Sequence, residues 1–377
     1  MTSHLRVAGV IEQLWHRVPG GTATAALGSL HAVARRLDAS VIGVAARHRG
    51  SPPNDLRPLI PVRHLRLPRP ALYESWHRLR RPAIEHAVGA VDVIHATGMA
   101  VPPRSAPLVV TVNDLAFLHE PTHFTARGLR FFQQFLAITR EEADVVVVPS
   151  EATARDCERV GIDRTRIATV PLGVAPLHVA PAEVAALRSQ LGLEGRYLLW
   201  VGTIEPRKNL TAVIAAWRSL RNAGSDVQLA LVGPGGWHER LGDLLGPDRD
   251  GVVATGHVPA AQLAALYRGA AAFCYPSLRE GFGLPVLEAM AQGTPVITSA
   301  GTSTEEVVGI DGDAGLLVDP LDQDDVTGAV ERVLEDASLA EHLATNGRLR
   351  ARTFSWDATA DGLVAAYRRA ATDPRSR

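Results

Sequence analysis

The sequence is short of cysteine, of lysine, of net charge and of long apolar runs. Only Cys157 and Cys274 occur in 377 residues, far apart and not in metal-like spacing, which excludes a disulfide scaffold or a cysteine zinc module. Two free thiols in a reducing cytoplasm is the economical reading. Formal net charge is −1, so nothing marks the chain as a dedicated nucleic-acid binder. No apolar stretch approaches the ~20 residues that span a bilayer, and the amino terminus lacks the series of an export signal. The expectation is a cytoplasmic protein, with peripheral contact at the cytoplasmic membrane face left open. Lysine is nearly missing, Lys208 being the one example.

What is present is a folded composition, with 46% hydrophobic and 21% charged residues. A chain of this length exceeds what one core usually supports, so two domains are expected. Strand and helix patterns alternate, as in parallel sheets covered by helices. First-half strands are expected at Leu5–Ile11, Ser40–Ala45, Val91–Thr97, Leu108–Asn113, Val145–Ser150 and Ile167–Pro171. Helical stretches fall near Thr22–Arg36, Leu72–Ala87, Arg127–Thr139 and Ala152–Val160. Second-half strands are Tyr197–Thr203, Val227–Gly233, Val252–Gly256, Ala272–Pro276, Pro295–Thr298 and Gly315–Val318. Helices near Leu210–Leu220, Ala260–Arg268, Leu284–Gln292 and Asp324–Glu335 lie among them.

The alternation breaks in VPLGVAPLHVAPAE, where Pro171, Gly173, Pro176 and Pro181 interrupt both periodicities. The expected architecture is α/β: two doubly wound parallel-sheet domains, residues 1–172 and 173–355, with a cleft between them. The tail 356–377 places Ala360, Leu363, Val364 and Tyr367 at helical spacing and is expected to pack back on the first domain.

Three segments could receive a phosphate. In RVPGGTATAAL, Gly20 and Gly21 follow the first strand and open a helix, where bare backbone and the helix dipole favour an anion. A plain tight turn explains that pair as well. In VGTIEPRKNL, a buried strand ends at Gly202 and is followed by Arg207 and Lys208, a forked cation and a point charge suited to a pyrophosphate. A solvated basic turn capped by Asn209 is the alternative. The most specific segment is YPSLREGFGLPVLEAMAQGTPVITS. Pro285 fits a first helical turn, so Glu280 precedes the helix and Glu288 lies on it. Gly281 and Gly283 leave bare amides at the helix's positive end. Glu288 sits among Leu284, Val286, Leu287 and Met290, where a half-buried carboxylate wants a partner.

Elsewhere, the strand in PLVVTVNDLAFLHE stops on Asn113 and Asp114, at the carboxyl end where polar groups first meet a ligand. From Arg47 to Arg81 nine arginines face only Asp55 and Glu74, an anionic-membrane or acceptor surface or simply a solvated face. Asp248-Arg249-Asp250 and Asp311-Gly312-Asp313 sit in glycine-rich loops and are read as turns. His119 and His123 are split by Pro121, so a zinc site there is not expected.

EPRKN followed by EGFGLPVLEAMAQGTPVI, with two glutamates flanking seven residues, resembles the retaining nucleotide-sugar glycosyltransferases of family 4. VIHATG, TVNDLAFL, VVVPSEATARD, VPLGV, GHVPAAQLAALYRGA and FSWDATADGL follow in family order, so the resemblance covers essentially the whole chain. It implies the GT-B fold of two Rossmann-like domains, and a nucleotide-diphosphate sugar as substrate with no further cofactor and no metal. GDP-mannose is the first expectation and a UDP-sugar the second. The acceptor would be a glycan or a lipid-linked molecule.

By resemblance, Arg207 and Lys208 would neutralise the departing diphosphate, Glu280 would hold sugar hydroxyls and Glu288 the ribose. Gly20, Gly21, Gly202, Gly281, Phe282, Gly283 and Leu284 would bring backbone to the donor, and His257 and Val258 would border the base. Asn113 and Asp114 would face the donor sugar, but relatives commonly carry His-Asp there. Asparagine offers a donor and an acceptor and cannot take up a proton. That departure keeps two alternatives in view: a degenerate relative that binds without turnover, and another GT-B enzyme such as an epimerase. A phosphorylase would need a pyridoxal lysine, which the composition does not supply.

Overall fold

A computed structural model describes residues 4–18, 20–175, 177–236, 240–247 and 249–372. The chain divides into two units, residues 1–173 with 355–377, and residues 174–354.

The first unit is built on β1 (Leu5–Val10), β2 (Ala39–Ala45), β3 (Val62–His64), β4 (Val93–Ala96), β5 (Leu108–Thr111), β6 (Val145–Val148) and β7 (Ile167–Thr169). All pair in parallel, in the order β3-β2-β1-β4-β5-β6-β7. β4 and β6 are buried along their whole length, as strands covered on both faces require. The helix Trp356–Thr372 belongs to this unit and buries Ala360, Leu363, Val364, Tyr367 and Ala370 in its core. Its Trp356 ring fits against Gly28, where a Cβ would come within 2.4 Å of the indole. The Tyr367 hydroxyl meets His95 Nδ1 at 2.8 Å, and His95 Nε2 meets Thr111 Oγ1 at 2.7 Å. The tail is thereby tied to the end of β5. Burial holds the His95 pKa down at about 3, so the ring is a neutral link between two hydroxyls.

The second unit contains β8 (Tyr197–Val201), β9 (Gln228–Val232), β10 (Val252–Gly256), β11 (Ala272–Tyr275), β12 (Val296–Ser299) and β13 (Leu316–Val318), in the order β10-β9-β8-β11-β12-β13. The chain runs outward from β8 through β9 and β10, then returns to place β11 on the other side of β8. Neighbouring strands with connections leaving in opposite directions form a topological switch point, whose crevice lies at their carboxyl ends.

Two expectations need correction, and the structure adds elements that the sequence pattern does not announce. The single helix over Leu72–Ala87 is broken: Arg69–Glu74 passes into a π-turn Ser75–Leu79, and Arg80 takes left-handed dihedrals ahead of Pro82. Proline lacks the amide that would continue the helix. The three-residue edge strand β3 has no alternation long enough to read. Pro181 opens a helix, Pro181–Leu191, rather than extending the linker, because the first turn needs no proline amide. The helices Ser303–Val308 and Ala337–Ala351 were also not anticipated. Pro176 of the linker lies outside the described residues.

Candidate active site

The carboxyl ends of β8 and β11 converge in the second unit, at the switch point. After β8 the chain makes a short 3-10 turn, Pro206–Lys208, which carries both cations. A Cβ on Gly202 would fall 2.8 Å from Lys208 Cδ, so glycine at that strand end leaves the lysine stem its space. β11 ends on Tyr275, and Ser277 and Glu280 follow it. The two loops are stitched together by backbone: Leu278 N donates to Arg207 O at 2.8 Å, and Ser277 Oγ donates to the same oxygen at 2.9 Å.

Four side chains converge on one oxygen of Glu280. Lys208 Nζ lies 2.9 Å from Oε1, Arg207 Nη1 3.0 Å, the Tyr275 hydroxyl 2.7 Å and Ser277 Oγ 3.2 Å. Lys208 also donates to the Tyr275 hydroxyl. Arg207 Nη2 reaches Glu205 Oε1 at 2.8 Å. Burial alone would raise the Glu280 pKa, but the adjacent Arg207 and Lys208 charges outweigh it and hold the carboxyl down at about 2. It is a permanent anion and cannot serve as a general acid. Burial, reinforced by the neighbouring Glu280 charge, drives the Tyr275 hydroxyl far above its ordinary value, so it remains a donor.

Beyond Glu280 the loop turns through Gly281, Phe282 and Gly283 into the helix Leu284–Gln292. Gly283 has φ +105° and its missing Cβ would lie 2.7 Å from Thr304 Cγ2, so only glycine fits this cap. The positive end of this helix lies at Gly283, three residues after Glu280. One turn on, Glu288 accepts a 3.2 Å hydrogen bond from the Tyr267 hydroxyl. Burial raises its pKa from 4.5 to about 7, and the Tyr267 bond offsets only part of the rise. His257 and Val258 follow β10, at the same edge of the sheet, with His257 exposed.

The structure thus gathers Gly202, Arg207, Lys208, Glu280, Gly281, Phe282, Gly283, Leu284 and Glu288 around one switch point. Asn209 does not cap the following helix by its side chain. It takes left-handed dihedrals and donates to Pro320 O at 2.8 Å. Glu205, Tyr275 and Tyr267 escaped sequence reasoning. Glu205 sits inside the EPRKN string and could have been singled out. The tyrosines read as ordinary core positions until the fold places their hydroxyls.

The remaining residues lie in the first unit. Gly20, at φ +60°, and Gly21 begin the helix Gly20–Ala34 with exposed backbone. Asp114 Oδ1 accepts from Ala116 N at 3.1 Å, a local turn bond. Asn113 lines a small recess with His95, Thr97 and Thr111. Of the Asp-x-Asp triplets, Asp248 lies outside the described residues, Asp250 pairs with Arg221 at 2.8 Å, and Asp311 accepts from Asp313 N at 3.4 Å. His119 is held by Asp156 at 3.0 Å, and the His123 side chain lies outside the described residues. In the arginine-rich stretch, Arg80 is a framework residue: it forks onto Glu142 and donates to the carbonyls of Trp76, Val101 and Pro102.

Comparison with known proteins agrees with this fold. Residues 19–176 match the model of Glycosyltransferase Family 4, and residues 185–350 that of Glycosyl transferases group 1. O-antigen chain mannosyltransferase B of Escherichia coli is 32% identical over 285 residues, 73% of this chain and 74% of that protein. MMP alpha-(1->4)-mannosyltransferase of Mycolicibacterium hassiacum is 31% identical over 302 residues, 75% of this chain and 71% of that protein. The structure of Anabaena Alr3699/HepE in complex with UDP and glucose superposes with a TM-score of 0.73 at 18% identity, covering 96% of this chain and 99% of that one. With a family model on each parallel-sheet unit and mannosyltransferases aligned along most of its length, this chain belongs to the family 4 glycosyltransferases of the GT-B fold.

Proposed function

We propose that the protein is a retaining, metal-independent hexosyltransferase that moves mannose from GDP-mannose to a hydroxyl of a glycan or glycolipid, with a UDP-sugar as the second candidate donor. The observation that carries this reading is the Arg207–Lys208–Glu280 cluster, with Glu280 four residues ahead of the helix Leu284–Gln292. The arrangement suits a diphosphate: two cations and the positive end of a helix would meet its developing charge. Removing one such preorganised contact typically costs about 2.7–4 kcal/mol. Glu280, already using Oε1 for the protein, would turn Oε2 to a hydroxyl of the donor sugar. Glu288 would accept from the ribose hydroxyls, and the base would lie towards His257 and Val258. The departing phosphate would take the acceptor's proton, so Asn113 need supply only hydrogen bonds.

The choice of mannose follows the two mannosyltransferase relatives, and the UDP alternative follows the UDP and glucose bound to the Anabaena protein. An anionic, lipid-linked acceptor, reached by peripheral contact at the cytoplasmic membrane face, would suit the exposed Arg47, Arg49, Arg57, Arg66 and Arg81. A reading as a binding protein without turnover has one observation in its favour, the asparagine at position 113. Nucleotide release from a panel of GDP-, UDP-, ADP- and dTDP-sugars, with and without acceptor glycans, separates the readings. GDP release that depends on mannose donor and acceptor is expected. Tight donor binding without release under every acceptor would overturn the enzymatic reading.

A further inference from the structure

Two cations, Arg207 and Lys208, are matched by two carboxylates, Glu205 and Glu280. Yet the two carboxylates are held differently. Glu280 has both Lys208 and Arg207, so it stays neutralised if the guanidinium turns away. Glu205 meets Arg207 through Nη2 at 2.8 Å, while Nη1 serves Glu280 and the Arg279 carbonyl at 3.1 Å. The Arg207 backbone is pinned by Leu278 and Ser277, which confines any change to its side chain. That side chain is 23% exposed against 10% for Lys208, so it is the cation better placed to meet a polyanion. Glu205 itself is 3% exposed and sits in extended backbone directly before the turn. A carboxylate buried this deeply is tolerated because the guanidinium neutralises it.

We propose that Glu205 sets how weakly the site retains a nucleoside diphosphate, by competing with it for the Nη2 arm of Arg207. The inference rests on reading Arg207 as a diphosphate ligand. When the diphosphate arrives, the guanidinium exchanges Glu205 for phosphate oxygens. When the sugar has been transferred, Glu205 reclaims the arm and its charge opposes the remaining polyanion. The device favours release of the nucleoside diphosphate over its accumulation on the enzyme.

The test is calorimetric titration of the full chain with GDP and with UDP, for wild type, Glu205→Gln, Glu205→Asp and Arg207→Ala. Removing one unit charge ~8 Å from a phosphate in a medium of effective dielectric constant ~30 changes affinity about tenfold. Glu205→Gln is expected to bind the preferred diphosphate about tenfold tighter, with its product-inhibition constant falling in step and kcat reduced. Glu205→Asp keeps the charge but withdraws it from the guanidinium, and should tighten binding by a smaller factor. If Glu205→Gln and Glu205→Asp leave diphosphate affinity unchanged or weaker while Arg207→Ala weakens it, the competition is overturned and the role of Arg207 stands. If Arg207→Ala leaves the affinity unchanged, the role of Arg207 falls and the competition with it.

Discussion

Glu288→Gln separates what this carboxylate does for the fold from what it does for the donor. In the ligand-free protein burial raises the Glu288 pKa from 4.5 to about 7. Between those two values the folded chain holds a proton that the unfolded chain has released, so stability declines as pH rises and the whole penalty stands above pH 7. At about 1.4 kcal/mol per tenfold change in proton affinity, the displacement corresponds to about 3 kcal/mol. Water reaching the half-buried side chain lowers that figure, and ~1–3 kcal/mol is expected. Glutamine has nearly the same shape, keeps an acceptor for the Tyr267 hydroxyl and never ionises. In a unit of this size each kcal/mol moves Tm by about 2–4 °C.

Scanning calorimetry without ligand, from pH 5 to pH 9, should therefore show Glu288→Gln melting ~2–12 °C above wild type at pH 8. At pH 5, where the wild-type carboxyl is itself protonated, the two should converge. Donor affinity should move the other way. A carboxylate can accept from both ribose hydroxyls, and losing a charged hydrogen-bond acceptor costs about 1.5–3 kcal/mol, roughly ten- to a hundredfold in donor KM. Wild-type donor binding should strengthen as pH rises through about 7, and the variant's should be flat. A stability gain equal at pH 5 and pH 8 would refute the burial argument. Unchanged donor KM would refute the assignment of Glu288 to the ribose.

Three further outcomes are expected. Lys208→Ala removes the ammonium from Glu280 and the diphosphate together, and kcat/KM should fall about 10²–10³-fold in a nucleotide-release assay; loss below threefold would remove Lys208 from the mechanism. Tyr275→Phe deletes a donor to Glu280 Oε1, so the carboxyl pKa should rise from about 2 and the acid limb of the pH–rate profile should move up towards the assay range; an unmoved limb would leave Tyr275 a packing residue. Asn113→His should preserve or raise turnover in an acceptor-dependent rate assay, whereas a sharp loss would mean that the asparagine makes a contact of its own.

The parts of the molecule that could be read from sequence are those whose signal is local and long. Buried parallel strands such as Val145–Val148 announce themselves, and so does the amphipathic tail. The glycine-bounded turn before Leu284 was legible because each residue type in it serves a backbone need. Signals carried by three residues or by a proline of ambiguous meaning were not, hence β3, the Pro181 helix and the break at Arg80. The site divides along the same line. Arg207, Lys208, Glu280 and Glu288 are polar residues in places where burial needs a reason, so they stood out. Tyr275 and Tyr267 are aromatic in an apolar run and need no reason until topology sets their hydroxyls against the two glutamates. That distinction has a mechanistic consequence. The tyrosines give the carboxylates opposite characters: Tyr275 joins two cations to keep Glu280 ionised, whereas Tyr267 alone leaves Glu288 near neutrality. Eight positions apart, one carboxylate is a fixed charge and the other a group whose ionisation a bound hydrogen-bond donor would promote.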